Sequence, residues 1–112
     1  MTEKILDATT FWELLERRVA LSPDLPLLID DNGRSMTCTE VRDEVEQVAA
    51  GLQALGIGAG TPVTWVLPTR IETIVLSFAL SRLSAIQNPI IHIYRHREVG
   101  FCIQQTGAEF VF

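Results

Sequence analysis

From Thr37 to Phe112 the chain alternates three helical patterns with three short β-rich runs. The helical patterns begin at Thr37, near Thr69 and near His96, and the runs that follow them are "TPVTWVLP", "AIQNPII" and "EFVF". Such alternation is typical of parallel strands joined by right-handed helical crossovers. The sequence therefore predicts an α/β fold with a parallel sheet.

A helix and a hairpin are predicted before this alternation. "TFWE" is a Ser/Thr-x-x-Glu capping box, in which the Thr10 hydroxyl and the Glu13 carboxylate each accept from an otherwise unpaired backbone N–H. Pro23 ends that helix because proline cannot donate to it and its ring clashes with the preceding turn. "PLLIDDNGRSMT" is typical of a β-hairpin that turns at Asn32 and Gly33, which adopt positive φ angles easily.

The second helix carries the clearest amphipathic pattern of the chain. Thr37 and Glu40 form a second capping box, and Gly56 ends the helix at the position where glycine is usual. Between them, apolar residues recur at spacings of three and four, as expected for one buried helix face. These residues are Val41, Val45, Val48, Leu52 and Leu55.

Two further helices are predicted in the second half. "TRIE", from Thr69, is a third capping box that opens a helix reaching about Ser84. This helix is apolar on more than one stripe, so we expect it to be packed between layers. The last helix runs from about His96 to Thr106 and ends at Gly107.

The final strand indicates that the chain is an incomplete part of a larger layered domain. "EFVF" has the composition of an interior parallel strand, and such strands are normally buried on both faces. The helices and short strands predicted in this chain cannot provide that cover. We therefore expect residues 1–9 to be a flexible terminus and residues 10–112 to be the N-terminal part of a larger domain. The alternative is a small complete domain whose last strand lies at an edge.

Composition excludes several classes of function. With 47% apolar and 21% charged residues in 112, the chain is globular. A net charge of −5 argues against a nucleic-acid surface, which requires a surplus of Lys and Arg on one face. Residues 71–93 are the most apolar stretch, but polar residues and a proline interrupt it, so no transmembrane segment is predicted. Cys38 and Cys102 form no CxxC pair, which favours reduced thiols in a cytoplasmic protein.

No catalytic motif stands out. "GIGAGT", Gly56 to Thr61, is rich in glycine, but it follows a helix and precedes a strand, whereas a phosphate loop leads from a strand into a helix. P-loop, G-x-S-x-G and H-E-x-x-H patterns are absent from the sequence. Asp30 and Asp31 are adjacent, but we place them in the hairpin turn, where Asp is favoured for its local hydrogen bonds. No catalytic residue is assigned.

A basic cluster follows the strand "NPII". His92, His96 and Cys102 do not suit a metal site, since they fall on different elements with no supporting shell of hydrogen bonds. Arg95 and Arg97 are more unusual, because with His96 they place cations at the positive end of a helix, each disfavoured by about 0.3–1 kcal/mol. Either acidic neighbours such as Glu98 offset this cost or an anion does.

The position of these arginines keeps an anion site open. Ligands of open α/β sheets bind beyond the carboxyl ends of the strands, and both "LPTR" and "NPIIHIYRHR" lie at such ends. Arg95 and Arg97 are therefore the candidate anion contacts.

Several of these motifs, taken in order, resemble the amino-terminal region of the adenylate-forming enzymes. The resemblance lies in the hairpin leading to "MTCTEV", in "AAGLQALGIGAGTPV", in "VLPTRIETIVLSFALSRLSAIQNPI" and in "EVGFCIQQTGAEFVF". It is greatest to the acyl-CoA synthetases that act on fatty acids or on cyclic and aromatic acids. The resemblance implies a parent enzyme that uses Mg-ATP to form an acyl-adenylate and then passes the acyl group to coenzyme A.

Three departures from the family pattern are structural in character. The family usually has an aromatic residue where Cys38 stands, Asp where Thr61 stands and Gly where Ser84 stands. The family's phosphate loop, nucleotide contacts, metal-binding Glu and catalytic Lys all lie downstream of this segment. The resemblance therefore implies no cofactor site in these residues and no ligase activity of the chain alone.

Two readings from other classes remain open. The chain could be an interaction module that binds a partner or a second copy of itself through an exposed sheet edge or apolar helix face. It could also be a small anion-binding domain that uses Arg70, Arg95 and Arg97.

Overall fold

The computed structural model describes residues 7–91 and 96–112, with four helices and five strands. In chain order they are α1 (Phe11–Leu21), β1 (Pro26–Ile29), β2 (Ser35–Thr37), α2 (Cys38–Ala54), β3 (Pro62–Trp65), α3 (Ile71–Arg82), β4 (Ile86–Pro89), α4 (His96–Thr106) and β5 (Phe110–Val111). The predicted α/β class, with a β-hairpin followed by alternating helices and parallel strands, is confirmed.

The strands form two sheets. Strands β1 and β2 make the predicted antiparallel hairpin, and β3 is the centre of a parallel sheet with the order β4-β3-β5. Val63 of β3 lies opposite both Gln87 of β4 and Phe110 of β5. We expected "EFVF" to be an interior strand, but β5 lies at an edge of the described sheet, and Val111 is 50% exposed.

The core lies among helices α1, α2 and α3, the hairpin and one face of the parallel sheet. Helix α3 contacts α1, α2 and β4, so the prediction that it is packed between layers is confirmed. The apolar residues predicted for α2 point into this core, except Leu55, which lies beyond the helix end and is exposed. The buried core residues are Leu15, Val19, Cys38, Val41, Val45, Ala49, Leu52, Ile57, Val63, Ile71, Val75, Ala79 and Leu80.

Two of the predicted capping boxes are present, one of them in altered form. At α2 both hydrogen bonds of the Thr37–Glu40 box form. At α1 the Thr10 hydroxyl accepts from the Glu13 N–H, but the Glu13 carboxylate accepts from the backbone of Thr9. The second bond of the α1 box is therefore displaced by one residue.

The predicted capping box at Thr69 is wrong. Helix α3 begins one residue later than this box requires, with Arg70 at the N-cap and no side-chain hydrogen bond there. The helix starts later because the hydroxyl of Thr73 donates to the Pro68 carbonyl over 2.7 Å and ties the first turn to the preceding loop. At its other end α3 stops at Arg82, and Ser84 lies beyond it with φ of +59°.

The hairpin turn is longer than Asn32 and Gly33 alone suggest. Gly33 has φ of +85°, but Asn32 does not have the positive φ expected, since Ser84 alone has one among described residues other than glycine. Instead, the Asp30 carboxylate accepts from the backbone N–H groups of Asn32 and Arg34, at 3.0 and 2.8 Å. The prediction that this aspartate serves local hydrogen bonds is confirmed.

Across residues 7–91 and 96–112, no helix has both the length and the apolar character needed to span a bilayer.

Candidate functional site

The most prominent candidate site lies at the carboxyl ends of the parallel strands. The loop from Val66 to Arg70 leaves β3 there and leads into helix α3. A cleft of about 500 Å³ opens beside this loop, at the position where open α/β sheets bind ligands. Its lining residues are Leu67, Pro68, Arg70, Glu72, Thr73, Leu76 and Phe112.

Backbone hydrogen bonds hold this edge of the sheet in register. The N–H of Val66 donates to the Phe112 carbonyl over 2.8 Å, and the Phe112 N–H donates to the Thr64 carbonyl over 2.9 Å. On the other side of β3, the Ile90 N–H donates to the Trp65 carbonyl over 2.9 Å. Backbone hydrogen bonds therefore join the ends of the three strands beside the cleft.

The charges around the cleft are few and partly paired. Glu72 lies in the first turn of α3 and accepts from Arg34 of the hairpin over 2.6 Å. A hydrogen bond from its own backbone N–H, and then the Arg34 contact, lower the pKa of the Glu72 carboxyl. Arg70 is exposed and forms none of the ion pairs seen within the described residues. It is the cation that this cleft can offer to an anionic ligand.

A second cleft of about 270 Å³ lies beside the same loop, and none of its lining residues is charged. The ring of Phe11 packs edge-on against that of Phe78, with centroids 6.3 Å apart and planes at 83°. Hydroxyl groups of threonine and serine side chains are the polar groups at its wall. The lining residues are Phe11, Trp65, Leu67, Thr69, Thr73, Ile74, Ser77 and Phe78.

A hydrogen-bond network around Gln87 supports this second cleft. The side-chain oxygen of Gln87 accepts from the Trp65 indole N–H and from the Ser77 hydroxyl, each over 3.1 Å. Its amide nitrogen donates to the Ser77 carbonyl over 2.9 Å. The three bonds join β3, β4 and α3. The signal in the sequence was a polar pair, Gln87 and Asn88, within the β-rich run "AIQNPII", which we did not interpret.

These groups do not fit a Mg-ATP site. Among the described residues no three His, Cys, Asp or Glu side chains are grouped as a metal site requires. The glycine-rich loop after α2 lies at the amino end of β3, where the Gly58 N–H donates to the Thr61 hydroxyl and the Gly60 N–H to the Ser84 carbonyl. Its prediction as a helix end and turn is confirmed.

The residues of the predicted anion cluster are only partly described. Arg97 is exposed in the first turn of α4, beside the exposed Glu98, and it does not line the cleft that holds Arg70. Arg95 and His92 lie outside the described residues. An anion contact at Arg95 and Arg97 therefore stays a prediction. Cys38 is buried and Cys102 is half-buried, and both are free thiols.

Comparison with known proteins identifies related chains. A family model described as "AMP-binding enzyme" matches residues 15–112. A long-chain-fatty-acid–CoA ligase of Mycobacterium bovis is 32% identical over 85 residues, which are 76% of this chain and 14% of that protein. An acetyl-coenzyme A synthetase of Thiobacillus denitrificans is 34% identical over 104 residues, which are 89% of this chain and 16% of that protein.

A solved structure agrees with these sequence matches. The fatty acyl CoA synthetase of Mycobacterium tuberculosis superposes with a TM-score of 0.86 at 26% identity, over 91% of this chain and 20% of that one. The chain thus spans about a seventh of the length of the curated relatives described above.

Proposed function

Because this chain belongs to the AMP-binding enzyme family, we propose that it is the N-terminal framework segment of an ATP-dependent acyl-CoA ligase. The parent enzyme activates a carboxylic acid with Mg-ATP to an acyl-adenylate and then transfers the acyl group to the thiol of coenzyme A. The observation that carries this proposal is the family match over residues 15–112. The chain also spans only 14% and 16% of the lengths of the two ligase relatives, as expected for one segment of such an enzyme.

The segment contributes structure to the parent, and the reactive groups come from elsewhere in it. Adenylate formation requires phosphate charge to be neutralised by a metal ion and by preorganised donors. Among the described residues, no three His, Cys, Asp or Glu side chains form a metal-ligand cluster, and the glycine-rich loop lies at the amino end of β3. Binding of ATP, Mg and coenzyme A is therefore the task of the rest of the parent, and the isolated chain is inactive.

The contribution of these residues is to hold the carboxyl edge of the sheet. The hydrogen bonds of Val66, Ile90 and Phe112 keep three strand ends together, and the Gln87 network ties that edge to helix α3. A parent domain that completes this sheet gains a rigid wall for its own site. The reduced cysteines support a cytoplasmic location for the parent.

Self-association is the second candidate function, and exposed apolar side chains favour it. Phe101 of α4 is 64% exposed and Ile86 of β4 is 59% exposed, and Ile91 is similarly exposed. Such side chains, where they lie close together, suit a partner surface. In the first proposal the remainder of the parent covers them, whereas in the second a further copy of the chain does.

One experiment separates these proposals. The purified chain is assayed for ATP–pyrophosphate exchange with acetate, octanoate, palmitate and benzoate, and for thioester formation with coenzyme A, alongside the full product of its reading frame. We expect activity from the longer product and none from the chain alone. Exchange by the chain alone, a reading frame that ends at Phe112, or a longer product without activity contradicts the ligase proposal. Sedimentation of the same sample tests the second candidate, which requires a defined oligomer.

A further inference from the structure

One loop forms part of the wall of both clefts at the carboxyl edge of the sheet. Pro68 and Arg70 line the cleft of about 500 Å³, which we call the Arg70 cleft, and Thr69 lines the second cleft of about 270 Å³. Leu67 lines both clefts, and so does Thr73 from the first turn of α3. The shape of this loop therefore sets the shape of both clefts.

Backbone hydrogen bonds hold the loop at its two ends. At the start, the Val66 N–H donates to the Phe112 carbonyl over 2.8 Å. At the end, the Arg70 carbonyl accepts from the N–H groups of Thr73 and Ile74, at 3.1 and 3.2 Å. The middle of the loop is held by a side chain instead.

Thr73 supplies that side chain. Its hydroxyl donates to the Pro68 carbonyl over 2.7 Å, and among the described residues this is the one hydrogen bond that residues 67–69 make. Proline has no backbone N–H, so its carbonyl is the one backbone group through which Pro68 can be hydrogen-bonded. Thr73 is only 8% exposed, and a hydrogen bond in such low-dielectric surroundings is stronger than one in water.

We propose that Thr73 is a positioning residue of the parent ligase, which holds the loop Val66–Arg70 in the shape that admits substrate to the clefts. The proposal rests on the ligase function proposed above. Thr73 acts through the loop, because the proton of its hydroxyl is used in the bond to Pro68. Without that bond the middle of the loop adopts other shapes, and substrate binds only the fraction of molecules that keep the competent shape.

This role has a specific kinetic effect. Loss of one hydrogen bond changes the balance between loop shapes by about threefold to tenfold. A smaller competent fraction raises KM by the same factor, whereas kcat is unchanged, because the enzyme with bound substrate already has the competent loop. A general loss of stability lowers the amount of folded enzyme instead, which lowers the apparent kcat and leaves KM as it is.

The test compares threonine variants in the full product of the reading frame. Thr73→Val keeps the shape of the side chain and removes the hydroxyl, and Thr73→Ser restores the hydroxyl. Thr39→Val is the matched control, because the Thr39 hydroxyl donates to the Pro23 carbonyl over 3.0 Å in the first turn of α2, and Thr39 lines neither cleft. KM and kcat are measured for ATP, for coenzyme A and for the carboxylic acid with the highest exchange rate.

We expect Thr73→Val to raise KM for at least one of these substrates by about threefold to tenfold and to change kcat by less than about twofold. Thr73→Ser and Thr39→Val should leave each KM within about twofold of the parent value. Unchanged KM values in Thr73→Val, an equal rise in Thr39→Val, no recovery in Thr73→Ser, or a loss of kcat without a change in KM overturns the proposal.

NMR of the 112-residue chain separates this proposal from the ligase proposal. The methyl signals of Leu67 report the shape of the loop, so Thr73→Val should shift or broaden them, and Thr73→Ser and Thr39→Val should not. Circular dichroism checks that each variant is folded, and Thr73→Ala removes the same bond if Thr73→Val does not fold. An inactive longer product contradicts the ligase proposal alone, whereas unchanged Leu67 signals in Thr73→Val overturn the positioning role of Thr73.

Discussion

Replacing Gln87 with leucine should destabilise the fold strongly for a single change in a strand. Leucine keeps most of the side-chain volume and removes the amide that joins Trp65 of β3 to Ser77 of α3. Three hydrogen bonds are lost, at 3.1, 3.1 and 2.9 Å. Each contributes about 0.5–1.5 kcal/mol net, and a buried donor left unpaired costs about 1–3 kcal/mol.

The groups left behind relax to different degrees. The Ser77 hydroxyl can turn to a carbonyl of its own helix, so its loss is partly recovered. The Trp65 indole N–H sits in a half-buried side chain on β3 and has no such choice. The lost hydrogen bonds outweigh the gain from burying leucine, and we expect the free energy of unfolding to fall by about 2–3 kcal/mol. That is a large share of the roughly 5–15 kcal/mol typical of a domain.

Urea denaturation followed by circular dichroism measures this loss. With a slope of about 1.5 kcal/mol/M, the midpoint should fall by about 1–2 M while the slope itself stays unchanged. NMR should show faster hydrogen exchange at the Trp65 indole and no change at that of Trp12. Gln53→Leu is the matched control, because Gln53 is exposed on α2, and it should stay within about 0.5 kcal/mol of the parent. A Gln87→Leu midpoint as high as that of Gln53→Leu would refute the role assigned to the network.

Two further predictions concern the ends of helices. Thr37→Ala should lower the free energy of unfolding by about 1 kcal/mol, because it removes a cap that is formed. Thr69→Ala should change the free energy of unfolding by less than about 0.5 kcal/mol, because Thr69 caps no helix. Equal losses for the two variants in urea denaturation contradict the positions of the two caps. Ser84→Gly should raise the melting temperature by a few degrees. A residue with a Cβ costs about 1–2 kcal/mol in the left-handed conformation of Ser84, and glycine removes that cost. The greater conformational freedom of glycine in the unfolded chain offsets about 0.5–1 kcal/mol of this gain. Ser81→Gly, within α3, is the control and should lower the melting temperature.

The parts of the fold that depend on local pattern could be predicted from the sequence. The apolar spacing of α2 and the glycine after α4 determine where those helices lie, because each signal and its effect fall within a few residues. Parallel pairing followed from the order of elements, since short crossovers leave few topologies open. Gly107, at φ of +66°, ends α4 as its position predicted.

Thr69 shows where local pattern was insufficient. The residues have the spacing of a capping box, but the start of α3 also depends on how the chain leaves β3. That exit is set by the bond of Val66 to Phe112, which is more than forty residues away in sequence, and by the bond of Thr73 to Pro68. A contact with a distant strand cannot be inferred from the four letters "TRIE".

The most informative polar side chain was missed for a similar reason. Gln87 takes its partners from β3 and α3. In the sequence, Gln87 is only a polar residue in a strand. Its environment exists only after the elements pack, so spacing could not assign it a role.

The backbone conformation of Ser84 explains why the family usually has glycine at this position. The family usually has glycine at this position, and the structure places Ser84 in the left-handed region with φ of +59°, just after α3. Glycine is favoured there because it has no Cβ to clash with the following carbonyl. The Ser84 carbonyl still accepts from the Gly60 N–H over 2.9 Å, so the turn keeps its contact with the loop before β3. The backbone shape that the family encodes with glycine is therefore adopted here by a serine, at a cost in stability, and backbone hydrogen bonds to Gly60 and Ser81 hold the turn.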